Sequence, residues 1–152
     1  MSTVLANTIN AVGGGRSTAK VTVTNDSTYE SDGGTVTDSN LVQGLIKCWV
    51  TIDGDASDAT TLDTFNVSGL TDNGSGDYTI AIDNDMGNAN YCYTTAIKRN
   101  NDSTDGNVTL YQRNSGTKST AQLRVTANFN AGGSTGVFDP PEAYVQITGD
   151  LA

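Results

Sequence analysis

The side chains that could do chemistry in this chain are almost all carboxylates. The 152 residues include 17 Asp and Glu against 8 Lys and Arg, with no histidine. Lack of histidine excludes Ser-His-Asp and Cys-His nucleophilic relays, His-ligated zinc and the usual proton carrier near neutral pH. Two acidic runs, Asp53-Gly54-Asp55-Ala56-Ser57-Asp58 and Asp83-Asn84-Asp85, offer the oxygen ligands that Ca2+ takes on a flexible loop. Neither has the glycine and closing glutamate of an EF-hand in register, so both read as solvated turns that keep strand edges from pairing. Two acids from separate loops could also meet as a glycosidase pair. A saccharide-cleaving groove would ordinarily carry several aromatics, and the one tryptophan, Trp49, sits inside a strand pattern that suggests packing. The expectation is a non-enzyme with no cofactor and no metal site.

Other candidates have equally plain alternatives. Cys48 and Cys92 show no metal-ligand spacing and, in a reducing compartment, read as free buried thiols. Tyr91 and Tyr93 share a strand face, where they would form a sugar-stacking ladder, or core or subunit-interface residues with hydroxyls reaching water. Lys98, Arg99, Arg113, Lys118 and Arg124 gather in the second half, either as scattered surface charge or as a patch for an acidic neighbour. Gly13-Gly14-Gly15 lacks the spacing of a phosphate-cradling loop.

The elements that would position these residues are strands. Leu45 to Ile52 alternates, with Ile46, Cys48, Val50 and Ile52 on one side and Leu45, Lys47, Trp49 and Thr51 on the other. Tyr78, Ile80 and Ile82 repeat the period after a turn rich in residues that tolerate positive φ, Thr71-Asp72-Asn73-Gly74-Ser75-Gly76-Asp77. Further strands are expected at Lys20–Thr24, Phe65–Val67, Asn90–Lys98, Asn107–Gln112, Ala121–Phe129 and Ala143–Thr148. In Ala121–Phe129 the inner residues are Leu123, Val125, Ala127 and Phe129. Asp53–Asp63, Gly69–Asp77 and the glycine-rich Ala131–Gly136 read as loops or turns. Asp139-Pro140-Pro141-Glu142 stops one element and aims the last, because neither proline offers an N–H. Ser39–Gly44 could form one helical turn. The fold expected is all-β, an antiparallel sandwich or barrel-like domain over residues 40–152, preceded by an extended arm, residues 1–39, for attachment or subunit exchange.

Composition narrows the partners. A net charge of −9 repels phosphates and anionic lipid, which argues against nucleic acid and membrane surfaces. No run approaches the ~18–20 apolar residues of a membrane span, and MSTVLANTINAV lacks the basic start of a secretory signal. The apolar fraction of 36% makes a thin core, which favours subunits that bury surface together.

One resemblance sharpens this. Lys47-x-Trp49-Val50, then Phe65-Asn66-Val67-Ser68, then Thr71 to Thr79 (TDNGSGDYT) resembles a module of tail-fibre and appendage proteins of tailed bacteriophages, as does the opening Ser2 to Asn10. The close likeness covers about a quarter of the chain, which has no heptads or shaft repeats. It implies a structural protein of the virion, commonly a homotrimer, assembled in the host cytoplasm. One end would attach to other virion proteins of tail, neck or capsid, and the other would face outward, with a host-surface glycan as a further partner. The loops Asp53–Asp63, Arg99–Gly106 and Arg113–Thr120 would then form the variable surface. The competing expectations are a capsid decoration protein and a free carbohydrate-binding module.

Overall fold

The alternation in β1 (Ile46–Asp53) places Cys48, Val50 and Ile52 in the core of a two-sheet sandwich. The computed structural model describes residues 44–99, 106–113 and 118–152. The arm at 1–39, the Lys20–Thr24 strand, and most of the loops expected at Arg99–Gly106 and Arg113–Thr120 lie outside these residues.

After β1 come β2 (Thr60–Phe65), β3 (Val67–Asp72), β4 (Asp77–Ile82) and β5 (Cys92–Lys98). β6 (Asn107–Gln112), β7 (Gln122–Ala131), β8 (Ser134–Val137) and β9 (Glu142–Thr148) complete the set. One sheet has the order β2-β1-β9-β5; the other is β3-β4-β7-β6, with β8 pairing the end of β7 that β4 leaves free. All these strand pairings are antiparallel. The domain is therefore an antiparallel β-sandwich, as the strand rhythm indicated.

The core lies between the sheets. β1 and β9 contribute Val50, Ile52, Ala143, Val145 and Ile147 from one side. Tyr78 and Ile80 of β4 and Leu123, Val125 and Ala127 of β7 face them from the other. Each set recurs every second residue, the period of a pleated strand with one face buried. Tyr78 spans to one end of the sandwich, where its hydroxyl donates to Asp139 Oδ1 at 3.2 Å. Gly54 is the residue that lets it in: a Cβ there would collide with the Tyr78 hydroxyl and lie 2.7 Å from the Pro140 carbonyl oxygen.

Several expectations are corrected. Asp53–Asp63 is not all loop, nor is Gly69–Asp77 all turn, because β2 and β3 occupy much of both. Phe65–Val67 is not one strand: Asn66, at φ 57°, is a left-handed corner where the chain passes from one sheet to the other. Ala131–Gly136 holds a hairpin, with Gly132 and Gly133 at φ 57° and 90°, the two positive values a type I′ turn needs. Ile46 is 43% exposed rather than core, since the β1–β9 register slips between Ile46 and Cys48. Cys92 is exposed. Trp49 is only half-buried and stands on the outer face of its sheet, so it is not a core residue.

Candidate interaction surfaces

The ionisable side chains of the described residues mostly tie strands together. Asp77, at the start of β4, is almost fully buried beneath two arginines. Arg124 reaches it from β7 through Nε and Nη2, both at 2.7 Å, and Arg113 donates to Oδ2. The Arg124 hydrogen bonds are the main reason the Asp77 carboxyl is held below its ordinary range, against the opposing effect of burial. Asp139 accepts from the Gly76 N–H at 2.6 Å and from Ser75 Oγ at 3.1 Å, locking the β3–β4 turn to the chain before Pro140. Glu142 accepts from Lys98 Nζ at 2.6 Å and from the Tyr144 hydroxyl, and these bonds lower its carboxyl, with Lys98 contributing most.

The five cations singled out in the sequence do not form one patch. Lys98 pairs with Glu142 on β5 and β9, while Arg113 and Arg124 share Asp77 on the other sheet. Lys118 lies at the end of the sandwich, donating to the Tyr91 carbonyl at 2.7 Å with its ammonium 4.3 Å from the Tyr91 ring centroid. Tyr91 is a core residue whose hydroxyl donates to the Gln122 carbonyl at 2.9 Å, and burial pushes its pKa up to about 12. Tyr93 is half-buried against the same core, so the pair does not form an exposed stacking ladder. Neither acidic run converges: Asp53 Oδ1 accepts from the Asp55 N–H at 3.2 Å, and Asn84 is bonded to Asn66. Among the described residues no three of Asp, Glu and Cys gather as a metal site.

The three stretches Lys47–Val50, Phe65–Ser68 and Thr71–Thr79 have structural roles. The Lys47 carbonyl accepts from Asn66 Nδ2 at 2.9 Å, so the first part is bonded to the second. Within TDNGSGDYT, Asp72 Oδ1 accepts the Gly74 N–H at 2.8 Å, and Asn73 Nδ2 donates to Thr79 Oγ1 at 2.9 Å. Gly74 and Gly76 take φ of 115° and 65°, which side chains rarely adopt. Asp77 and Tyr78 then supply the arginine clasp and a core ring.

What remains for contact with other molecules is surface of three kinds. The outer face of the first sheet carries an in-register row, Phe65–Trp49–Gln146–Thr94, followed by Asp63–Thr51–Tyr144–Ala96. Phe65 is 52% exposed, and a hollow of about 150 Å³ lies beside Tyr144 and Gln146. At the end of this sheet a groove of about 480 Å³ is lined by Leu45, Ile46, Phe65 and Leu151, all exposed apolar residues, together with Lys47, Asn66, Asp83 and Asn84. The third surface is a groove of about 330 Å³ between β2 and β3, with threonines on its walls and Val67 and Leu70 packed against the core. Sequence reading missed the first two because they join residues distant in the chain, and the third because its strands, β2 and β3, read largely as loop and turn. Only the half-polar face of β1 hinted at the first.

Among the described residues no helix is long and apolar enough to cross a membrane. Comparison with protein families, with curated proteins and with solved structures returned no match.

Proposed function

We propose that this chain is a non-enzymatic structural protein on the surface of a tailed-phage virion, fibre- or appendage-like, acting as a symmetric oligomer. The observation that carries this reading is the apolar surface running from half-buried Trp49 and exposed Phe65 into the groove lined by Leu45, Ile46 and Leu151. Contiguous apolar surface of this kind marks contact sites rather than ordinary solvent-facing sheet. Aromatic residues with a polar rim are the usual make-up of a subunit interface. The phage-module resemblance supplies the biological setting, and a homotrimer is the form it implies.

In this reading the copies meet through the outer face of the β2-β1-β9-β5 sheet, and the oligomer presents identical contacts to the particle or to the host. Weak identical contacts then add through effective concentration. The test is co-purification. The protein is expected to sediment with phage particles in fixed stoichiometry, and antibody against it to label a tail appendage. Protein that stays free of particles and is retained on host polysaccharide as a monomer would overturn the reading. Label spread evenly over the shell would replace the appendage by a capsid decoration protein.

A further inference from the structure

We propose that Lys20–Thr24 of this chain adds as an extra strand along the open edge of β2, with Val21 and Val23 entering the groove between β2 and β3. The two sides of the sandwich differ. On the β5/β6 side the sheets are stitched together, with Thr95 Oγ1 donating to the Leu110 carbonyl at 2.7 Å. On the β2/β3 side the groove of about 330 Å³ remains. Among the described strands β2 pairs only with β1, and β3 only with β4. Each edge therefore offers a row of backbone donors and acceptors to an incoming strand. Val67 and Leu70 supply an apolar floor, with Ala59 beside them.

Charge selects the occupant. The sequence has no Lys or Arg between Lys47 and Lys98, so the elements around this groove carry aspartates alone, including Asp58, Asp63 and Asp72. Residues 1–25 have the opposite character, with Arg16 and Lys20 and no acid. Within them only KVTVT combines a cation with the valine–threonine alternation that suits an apolar floor and hydroxyl walls. The stretch Asp26–Asp38 is acidic and would be repelled.

Tether length selects the chain's own segment over a neighbour's. Residues 25–43 join Thr24 to Gly44, and roughly 19 residues have a root-mean-square span of about 24 Å as a random chain. The six residues of β2 extend about 20 Å. Phe65, at one end of β2, is in register with Trp49, close to where the tether enters β1. Such a tether holds the segment at millimolar effective concentration, above any working concentration of a second molecule.

Hydrogen exchange on the full chain tests this. Amides of residues 21–24 are expected to exchange at least about tenfold more slowly than in V21D/V23D, given the apolar burial those valines would lose. Thr64→Trp is expected to abolish the protection, since Thr64 lines the groove and, in register with the core residue Val50, turns its side chain inward. Exchange at the open-chain rate in the wild type, or protection that survives Thr64→Trp, would overturn the proposal. Protection that rises with protein concentration would also overturn it, by assigning the strand to a neighbouring copy. The V21D/V23D changes lie outside the described domain, so loss of protection there is not explained by domain unfolding. The proposal does not rest on the oligomer, and sedimentation of the same samples reads that separately.

Discussion

Asn66 Oδ1 accepts both the backbone N–H of Asn84, at 2.7 Å, and its side-chain amide, at 2.9 Å. The Asn66 amide meanwhile donates to the carbonyls of Lys47, at 2.9 Å, and Asn84, at 3.1 Å. One left-handed residue thus ties β1, the β2–β3 corner and the segment after β4. Asparagine is the side chain that tolerates this backbone and can also bond locally.

Asn66→Ala should accordingly cost more than Asn66→Gly. The alanine loses the bonds and strains the backbone, for about 2–3 kcal/mol in total; the glycine loses only the bonds, for about 1–2 kcal/mol. Urea denaturation of both variants checks the order.

Asp77→Asn should destabilise by about 1–2 kcal/mol at neutral pH, a figure reduced because both arginines are partly exposed. Its pH dependence has a definite sign. The folded-state pKa of Asp77 is lowered, so its contribution is fully present above the unfolded value of about 3.9 and is lost as pH falls through the folded value below that. The stability gap between wild type and variant should be flat near neutrality and close below about pH 4.

The fold was legible where one strand face is buried. β1, β4, β5, β7 and β9 alternate because the pleat sends every second residue into the core. β2 escaped because it is exposed almost throughout, and β3 because a bulge between Val67 and Gly69 sets its two inward residues, Val67 and Leu70, three apart; their Thr, Ser and Gly content resembles loop. β8 is four residues long and follows two glycines. The contact surfaces were barely legible, since strand pairing brings Phe65, Trp49 and Gln146 together across the sequence. The basic residues show the converse: neighbours in the sequence, they are divided between two sheets.

The two thiols should differ sharply. Cys48 pairs with Ile147 and Cys92 with Thr148, adjacent residues of β9, so the cysteines point to opposite faces of their sheet. Burial pushes the Cys48 thiol up to about 11, while Cys92 is exposed. A thiol reagent should modify Cys92 in the folded, dissociated subunit and Cys48 only after unfolding, as mass spectrometry of the peptides from dilute protein would show.

Trp49→Ala should lower the stability of the subunit by only about 1–2 kcal/mol, below the ~3–5 kcal/mol of a core aromatic, because the ring is half-buried on an outer face. A thermal melt at low protein concentration reads this. A core-sized loss would place the ring in the subunit's packing instead.

Acidic copies repel, so self-association should tighten with salt. Each subunit carries a net charge of −9, and the screening length falls from about 30 Å at 0.01 M to about 8 Å at 0.15 M. A dissociation constant measured across that range should decrease.

Sedimentation equilibrium of the wild type beside Phe65→Glu bears most directly on self-association through the outer sheet face. The wild type is expected at a multiple of the 15.8 kDa subunit mass, a trimer, and Phe65→Glu at the subunit mass with its far-UV circular dichroism spectrum unchanged. A wild type that remains at 15.8 kDa both in solution and on the particle, or a Phe65→Glu variant that associates as tightly as the wild type, would contradict it.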